Sequence, residues 1–493
     1  MPSRRHGHHD RDMGYRGHGK KLQVHHNNTS PGGVTPTTAV DVLSDAKSLI
    51  SGNRHGVITK TTDGRDVLTR PQQLIKSKQM TVQTRLTSDT LVANAWAPTN
   101  NQYMDFRIMH SSNIHYVDEL TFVFTVTNNL PTPPLGGNND MYLGPWYQMF
   151  DRIELLADGT STQDQIYPLQ AFLMTSVTRK DEERAMAAEN EGINRDTSRN
   201  SAIDRYLLTN YDAYNHGNGI VLTPGDSHIY RFKCGTLLDY ADLFLPNLTT
   251  WPTIRFYFGG KNFEMSTSPV LADLTKYPTL TNAELLLSGT FLGSPQQLAA
   301  YKDYYNSFPS VSCGLMYDRQ TLQPYTAVTG QESTDLILTG MSGKMAGLFV
   351  VMKPPNLSNE AQFSPGNAQT FVHLDKVTFK QQDGTVQSFE KQDVDWFRSI
   401  LFAKQWPSCV ALEKCILWYP FCSDPMSLIH YGADTGSYQM TTRESFRFTP
   451  LTVTNNAVPG TPVVIEVFGV RYGQLIYCKG MLNAFKSDDK VVY

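Results

Sequence analysis

With 493 residues, 40% of them hydrophobic and 11% aromatic, the chain carries apolar material for roughly two to four packed domains, which excludes wholesale disorder. Charged residues make up only 18%, while 35 Gly, 27 Pro and abundant Thr, Ser, Asn and Gln give the composition of strands joined by many turns. The formal net charge of -3 hides an asymmetry: residues 1–40 hold Arg4, Arg5, Arg11, Arg16, Lys20 and Lys21 against Asp10 and Asp12, so this arm is +4 and the remainder -7. No apolar run approaches the about 20 residues of a spanning helix, and none follows the basic start, so neither a membrane span nor a secretory signal is expected.

The first 36 residues are polar and hold six of the thirteen histidines (His6, His8, His9, His18, His25, His26), so they cannot bury enough to fold alone. From 38 to 51 the pattern changes: Thr38 can cap, Val42, Leu43, Ala46 and Ile50 recur at helical spacing, and Gly52 ends a short amphipathic helix. Residues 53–78 return to polar sequence without clear periodicity.

Strands follow. In Leu120–Thr127 the residues Leu120, Phe122, Phe124 and Val126 share one face and Thr121, Thr125 and Thr127 the other, the period of two of a half-buried strand. The same reading gives strands at 153–156, 229–234, 254–258, 285–287, 336–338, 348–352, 377–379, 415–418, 463–468 and 475–478. Helices are expected at 169–191, at 295–307 with Ser294 as cap and Pro295 in first position, and at 394–404.

One motif occurs twice. Phe150-Asp-Arg-Ile-Glu-Leu-Leu-Ala-Asp-Gly-Thr160 and Leu374-Asp-Lys-Val-Thr-Phe-Lys-Gln-Gln-Asp-Gly-Thr385 each run from an apolar-Asp-basic start through a strand into an Asp-Gly turn, which closes hairpins because Gly accepts positive φ. Two unrelated hairpins would explain such a short match. Because each copy precedes a predicted helix and further strands, two tandem β-domains of one kind explain it better, and the absence of a 40-residue period favours sandwiches over propellers.

Three stretches have residues that could carry chemistry. Gly340-Met-Ser-Gly-Lys344 lacks the first glycine of a phosphate loop and has Met345 where Ser or Thr would hold magnesium, so it reads as a loop between strands. The six cysteines (Cys234, Cys313, Cys409, Cys415, Cys422, Cys478) include no Cys-x-x-Cys pair; Cys409, Cys415 and Cys422 with His430 lack ligand spacing, and core residues in a reducing compartment are expected. Arg179–Arg184, with mixed signs, is a solvated helix face. No catalytic residue, cofactor or metal is expected.

The C-terminal fifth holds Leu417-Trp-Tyr-Pro-Phe-Cys-Ser-Asp-Pro425, Asp434-Thr-Gly-Ser437, Ser445-Phe-Arg-Phe448, Val463–Phe468, Val470–Ile476 and Gly480-Met481 in that order, and Ala283–Phe308 lies upstream. In order and spacing these resemble the major capsid proteins of the double-jelly-roll lineage, which includes nucleocytoplasmic large DNA viruses, virophages and polinton- or adintovirus-like elements. The first is similar to that family's Tyr-Ser-Phe-x-x-x-Pro strand end, the second sits where a Pro-Ser-Gly turn is expected, the third stands for Asn-Phe-Ser, the next three resemble the final strands, and Ala283–Phe308 resembles the passage between rolls.

The resemblance implies an all-β fold of two tandem eight-stranded jelly-roll sandwiches with short helical insertions and a mobile N-terminal arm: an arm at 1–78, rolls at 79–293 and 311–485, a linker helix at 294–310 and a tail at 486–493. It implies a homotrimeric, pseudo-hexagonal capsomer without enzymatic activity in the virion, assembled in host cytoplasm or nucleus, with neighbouring capsomers and minor capsid or penton proteins as partners. The basic arm, with Arg4, Arg5, Arg11, Arg16, Lys20 and Lys21, would then lie inside the shell against an inner membrane, neighbouring capsomers or genome, or else be a disordered tail with no specific partner, and the 38–51 helix would pack under the rolls or against an adjacent capsomer. Two other readings stand beside it: a β-sandwich carbohydrate-binding or glycoside-processing protein using Trp146, Trp251, Trp396 or Trp418 as platforms, and a minor vertex protein with a single roll.

Overall fold

The computed structural model describes residues 57–60, 66–69, 80–87, 103–109, 114–134, 139, 141–143, 146–159, 162–177, 190–191, 220–240, 243–258, 279–307, 310–326, 331–353, 374–389, 405–406, 417–427, 435–450 and 462–486. The basic arm, the 38–51 helix, the 394–404 helix, Cys409, Cys415, His430 and Trp396 lie outside these.

In chain order the first half holds β1 (Val57–Lys60), β2 (Asp66–Thr69), β3 (Met80–Thr87), β4 (Tyr103–Arg107), β5 (Tyr116–Thr127), β6 (Met141–Leu143), β7 (Phe150–Leu156), β8 (Thr162–Ile166), α1 (Pro168–Val177), β9 (Ile220–Leu222), β10 (Ser227–Phe232), β11 (Leu243–Phe244), β12 (Thr253–Phe258) and β13 (Thr279–Phe291). The connecting helix α2 (Pro295–Ser307) leads to β14 (Ser310–Thr326), β15 (Leu336–Ile337), β16 (Ser342–Met345), β17 (Gly347–Lys353), β18 (Leu374–Lys380), β19 (Val386–Phe389), β20 (Leu417–Pro420), β21 (Tyr438–Thr441), β22 (Ser445–Pro450), β23 (Pro462–Cys478) and β24 (Met481–Lys486).

Two pairs of sheets result. The first half pairs β10-β5-β13-β3 against β4-β12-β7-β8, and the second pairs β14-β23-β17-β20 against β15-β22-β18-β19. Taking the eight strands of each half in sequence, the first, eighth, third and sixth share one sheet and the second, seventh, fourth and fifth the other, in both halves. This is the jelly-roll order, in which strands far apart in sequence become neighbours and two sheets close over one core.

The repeated motif forms the same hairpin twice. In the first, Leu155 pairs with Asp164 and Ile153 with Ile166; in the second, Phe379 pairs with Gln387 and Val377 with Phe389. Gly159 at φ +85 and Gly384 at φ +86 supply the left-handed residue of each turn. Ile153 and Leu155 are buried in the first core, and Val377 and Phe379 in the second.

The structure extends most predicted strands, because the ladder continues past the apolar stretch that signals it. Predicted strands at 463–468 and 475–478 are parts of the single β23, whose intervening Gly469-Val-Arg-Tyr-Gly-Gln474 stays paired with β14. Three expectations need correction. Gly340–Lys344 is only half loop, since Ser342–Met345 pairs with β21. Residues 57–60 and 66–69, read as unpatterned, form the hairpin β1–β2. The helix expected over 169–191 is described over Pro168–Val177; residues 178–189 lie outside the described residues, and Asn190 and Glu191 form a turn. The helix at Pro295–Ser307 is as expected, and the Ser294 carbonyl accepts from the Leu298 N–H.

Candidate functional site

The feature that joins the two halves of the molecule is the seam between the two sandwiches. Among the described residues no three His, Cys, Asp or Glu side chains converge as metal ligands, and no helix is long and apolar enough to cross a membrane.

The seam is built from the ends of strands that belong to each sandwich. At its apolar end, α2 presents Tyr301 and Tyr305 at one-turn spacing. Tyr305 stacks on Phe244 of β11 at 5.3 Å and meets Tyr477 of β23 edge-on at 5.8 Å. The buried Tyr477 hydroxyl donates to the Phe244 carbonyl at 2.7 Å and accepts from the Phe244 N–H at 2.6 Å, so a phenol completes the edge of β11. Gly480, in the turn after β23 at φ +79, brings its carbonyl to the Thr249 N–H at 2.7 Å; a Cβ there would stand 2.3 Å from Thr249 Oγ1.

At its polar end the outward face of the first sandwich carries a ladder that continues into the second. Register places Asp105, Arg255, Glu154 and Gln165 side by side across β4, β12, β7 and β8. Arg255 binds Asp105 through two bonds of 2.7 and 2.8 Å, Arg152 binds Glu154 at 2.8 Å and lies 3.7 Å over the Tyr257 ring, and Gln165 donates to Glu154 at 2.9 Å. Tyr167 donates to Gln165 at 3.2 Å and offers its ring to Arg319 of β14 at 4.4 Å, while Arg319 binds Glu466 of β23 at 3.0 Å. Such planar guanidinium contacts combine charge pairing with ring stacking.

Between the two ends lies an open cleft of about 520 Å³, lined from the first sandwich by Thr162–Gln165, Tyr167 and Gln170 and from the second by Met316–Arg319, Thr321 and Lys486. Lys486 and Arg471 both pair with Asp318. Asp164 is buried at the cleft wall; burial pushes its carboxyl up to about 7, with Asp239 adding to the rise and the Leu237 and Gln165 amides and Lys486 opposing it. Asp164 accepts from the Gln165 N–H at 2.9 Å and the Leu237 N–H at 3.3 Å.

The candidate sugar platforms fare poorly as such. Trp146 is fully buried, stacked on Phe232 at 4.3 Å, and Trp418 is fully buried against Phe349 and Trp406; Trp251 is partly buried against the core. Cys234 and Cys422 are buried and Cys478 is half-buried. The seam residues were missed by sequence reasoning: only the alternation of Arg, Glu, Tyr and Asp on predicted strand faces could have pointed to the ladder.

No family model and no curated protein matches the sequence. Solved structures do. PBCV-1 VP54, in the form fitted into a reconstruction of the virophage Sputnik, aligns with 85% of this chain and 99% of its own at a TM-score of 0.54 and 13% identity. The PBCV-1 virus capsid aligns with 85% of this chain and 99% of its own at 0.53 and 12%, and the Faustovirus major capsid protein with 89% and 94% at 0.52 and 11%. The chain has the double-jelly-roll fold of these viral capsid proteins.

Proposed function

We propose that this chain is a structural, non-enzymatic major capsid protein that tiles an icosahedral DNA virus shell as a homotrimeric, pseudo-hexagonal capsomer. The observation that carries this reading is the jelly-roll strand order occurring twice in one chain and locked by a continuous seam. A single-roll vertex protein would have no use for the second order or the seam, and the buried Trp146 and Trp418 argue against sugar platforms.

In this reading the rolls occupy 79–293 and 311–485, joined by a linker at 294–310. The arm at 1–78 faces the shell interior, where Arg4, Arg5, Arg11, Arg16, Lys20 and Lys21 meet an anionic partner, an inner membrane or the genome. Val42, Leu43, Ala46 and Ile50 contact adjacent capsomers, and minor capsid or penton proteins complete the shell in host cytoplasm or nucleus.

A trimer of double rolls would bury more than about 2,000 Å² in obligate contacts. Sedimentation equilibrium of the full chain should therefore report three times 55.4 kDa, with hexagonal outlines in electron micrographs. A stable monomer at micromolar concentration sinks the proposal.

A further inference from the structure

The seam joins two unlike surfaces, and each of them recurs once more in the chain. On the first sandwich it uses the β8 side, where Gln163 Oε1 accepts from the Ala484 N–H of β24 at 3.0 Å and Thr162–Gln165 face Met316–Arg319 across the cleft. On the second it uses the β14–β23 side, where Arg319 stacks on Tyr167 and binds Glu466.

The first surface recurs on the second sandwich. Arg255 lies opposite Glu154 and binds Asp105, and Arg447 lies opposite Thr378 and binds Asp335, so the outward faces of the two sheets correspond position by position. Gln387 pairs with Phe379 as Asp164 pairs with Leu155, which puts Val386 in the place of Gln163. Val386 is 55% exposed, the highest value among the described large apolar residues.

The second surface recurs on the first sandwich. Arg319 lies opposite Phe468, with Glu466 two residues earlier on β23. In the same way Arg85 lies opposite Leu286, with Glu284 two residues earlier on β13. Phe468 and Glu466 are buried at the seam, whereas Leu286 and Glu284 are half-buried. The chain therefore carries each side of one contact twice and joins a single pair of them. A leftover pair of unlike surfaces on one molecule makes a heterologous contact with further copies, which closes into a ring when the rotation allows.

We propose that the β19 side of one copy's second sandwich, led by Val386, docks on the β3–β13 side of a second copy's first sandwich. The contact between copies repeats the contact that the seam makes within one. This inference rests on the reading of the chain as a homotrimer and says which faces build it. Burial of Val386 and Leu286 supplies apolar area at the contact.

Photo-crosslinking of the full chain tests this, with p-benzoylphenylalanine at Val386 and sedimentation of the same sample reporting its assembly. The expected product runs as two subunits on a denaturing gel, and mass spectrometry maps its crosslink from position 386 to residues 80–87 or 284–288 of the other subunit. Val386→Asp should raise the dissociation constant of the trimer about tenfold, because the contact would bury a charge, while the far-UV circular dichroism stays unchanged. Ile229→Asp, at a residue 45% exposed on the opposite edge strand of the β3–β13 sheet, should leave that constant as it is. A trimer whose crosslinks stay within one subunit or reach other residues, or that responds equally to the two substitutions, overturns the proposal and leaves the trimer standing. A chain that sediments as a monomer overturns both.

Discussion

The central strands β5 and β23 belong to sandwiches of the same strand order, yet their sequences follow different rules. In β5, Phe122, Phe124 and Val126 are buried between half-exposed Thr121, Thr125 and Thr127. Its outward face is finished with hydroxyls, Thr127 Oγ1 standing 2.7 Å from Ser227 Oγ and 3.2 Å from Thr281 Oγ1. In β23 every residue from Ile465 to Tyr477 is buried. Ile465 and Val467 face the core inside the second sandwich, whereas Phe468, Val470 and Tyr472 join Phe349, Trp406 and Trp418 in the cluster that continues into the seam and the first sandwich. Alternation therefore reports what covers the second face of a sheet, while the strand order is the same whether that face meets water or protein.

That contrast is most easily broken at Trp418. Replacing it with Ala removes a fully buried indole packed on Phe349 and Trp406 and hydrogen-bonded to Gln405 Oε1, and should cost about 3–5 kcal/mol in urea unfolding. Thr121→Ala on the half-exposed face of β5 should stay within about 0.5 kcal/mol. Equal losses would mean that the covered face is not what separates the two halves.

The polar side of the seam should be sensitive to pH. Asp164 titrates near 7 in the folded chain and near 3.8 when unfolded, so between these values the native state holds a proton that the unfolded state has released. Stability contributed by this group is present below about pH 4, falls as pH rises toward 7, and is level above, a total change of up to about 4 kcal/mol. Thermal melts across pH 4 to 8 should show the decline, and Asp164→Asn should flatten it; an unchanged slope in the variant would assign the effect elsewhere.

The smallest effect tests the equivalence of the two hairpins. Gly159 and Gly384 share the same positive φ, and a Cβ added at either would meet nothing within 4 Å, so Gly→Ala costs backbone strain alone, about 1 kcal/mol. The two losses should agree to within about 0.5 kcal/mol in denaturant titrations. A larger gap would show that the turns are only superficially alike.

Much of this architecture was legible in the sequence. The alternation of Leu120–Thr127, the Asp-Gly hairpins and the Ser294-Pro295 start of α2 are local signals whose physics operates within a few residues, and each is found in the structure. What escaped was set by distant partners. Nothing local joins the two apolar stretches of β23 into one strand, because Gly469 and Gly473 look like breaks until β14 is seen pairing across them. The seam was invisible for the same reason: Tyr477 and Phe244 are 233 residues apart, and a phenol that caps a strand edge has the same sequence signature as any core tyrosine.

The strand order also fixes when each half can become a structure. In each half the eighth strand of the roll is an interior one: β13 lies between β5 and β3, and β23, ahead of the edge strand β24, lies between β14 and β17. Met80 therefore waits for Phe291, and Cys313 for Gln474, before either has a neighbour. Such long loops make closure slow, and until then β3, β5, β14 and β17 offer bare edges to any other chain. A nascent chain that stops short of residue 462 would hold most of the second sandwich's residues but lack β23, on which β14 and β17 both pair, so the hazard of self-association during synthesis is written into the order of the strands.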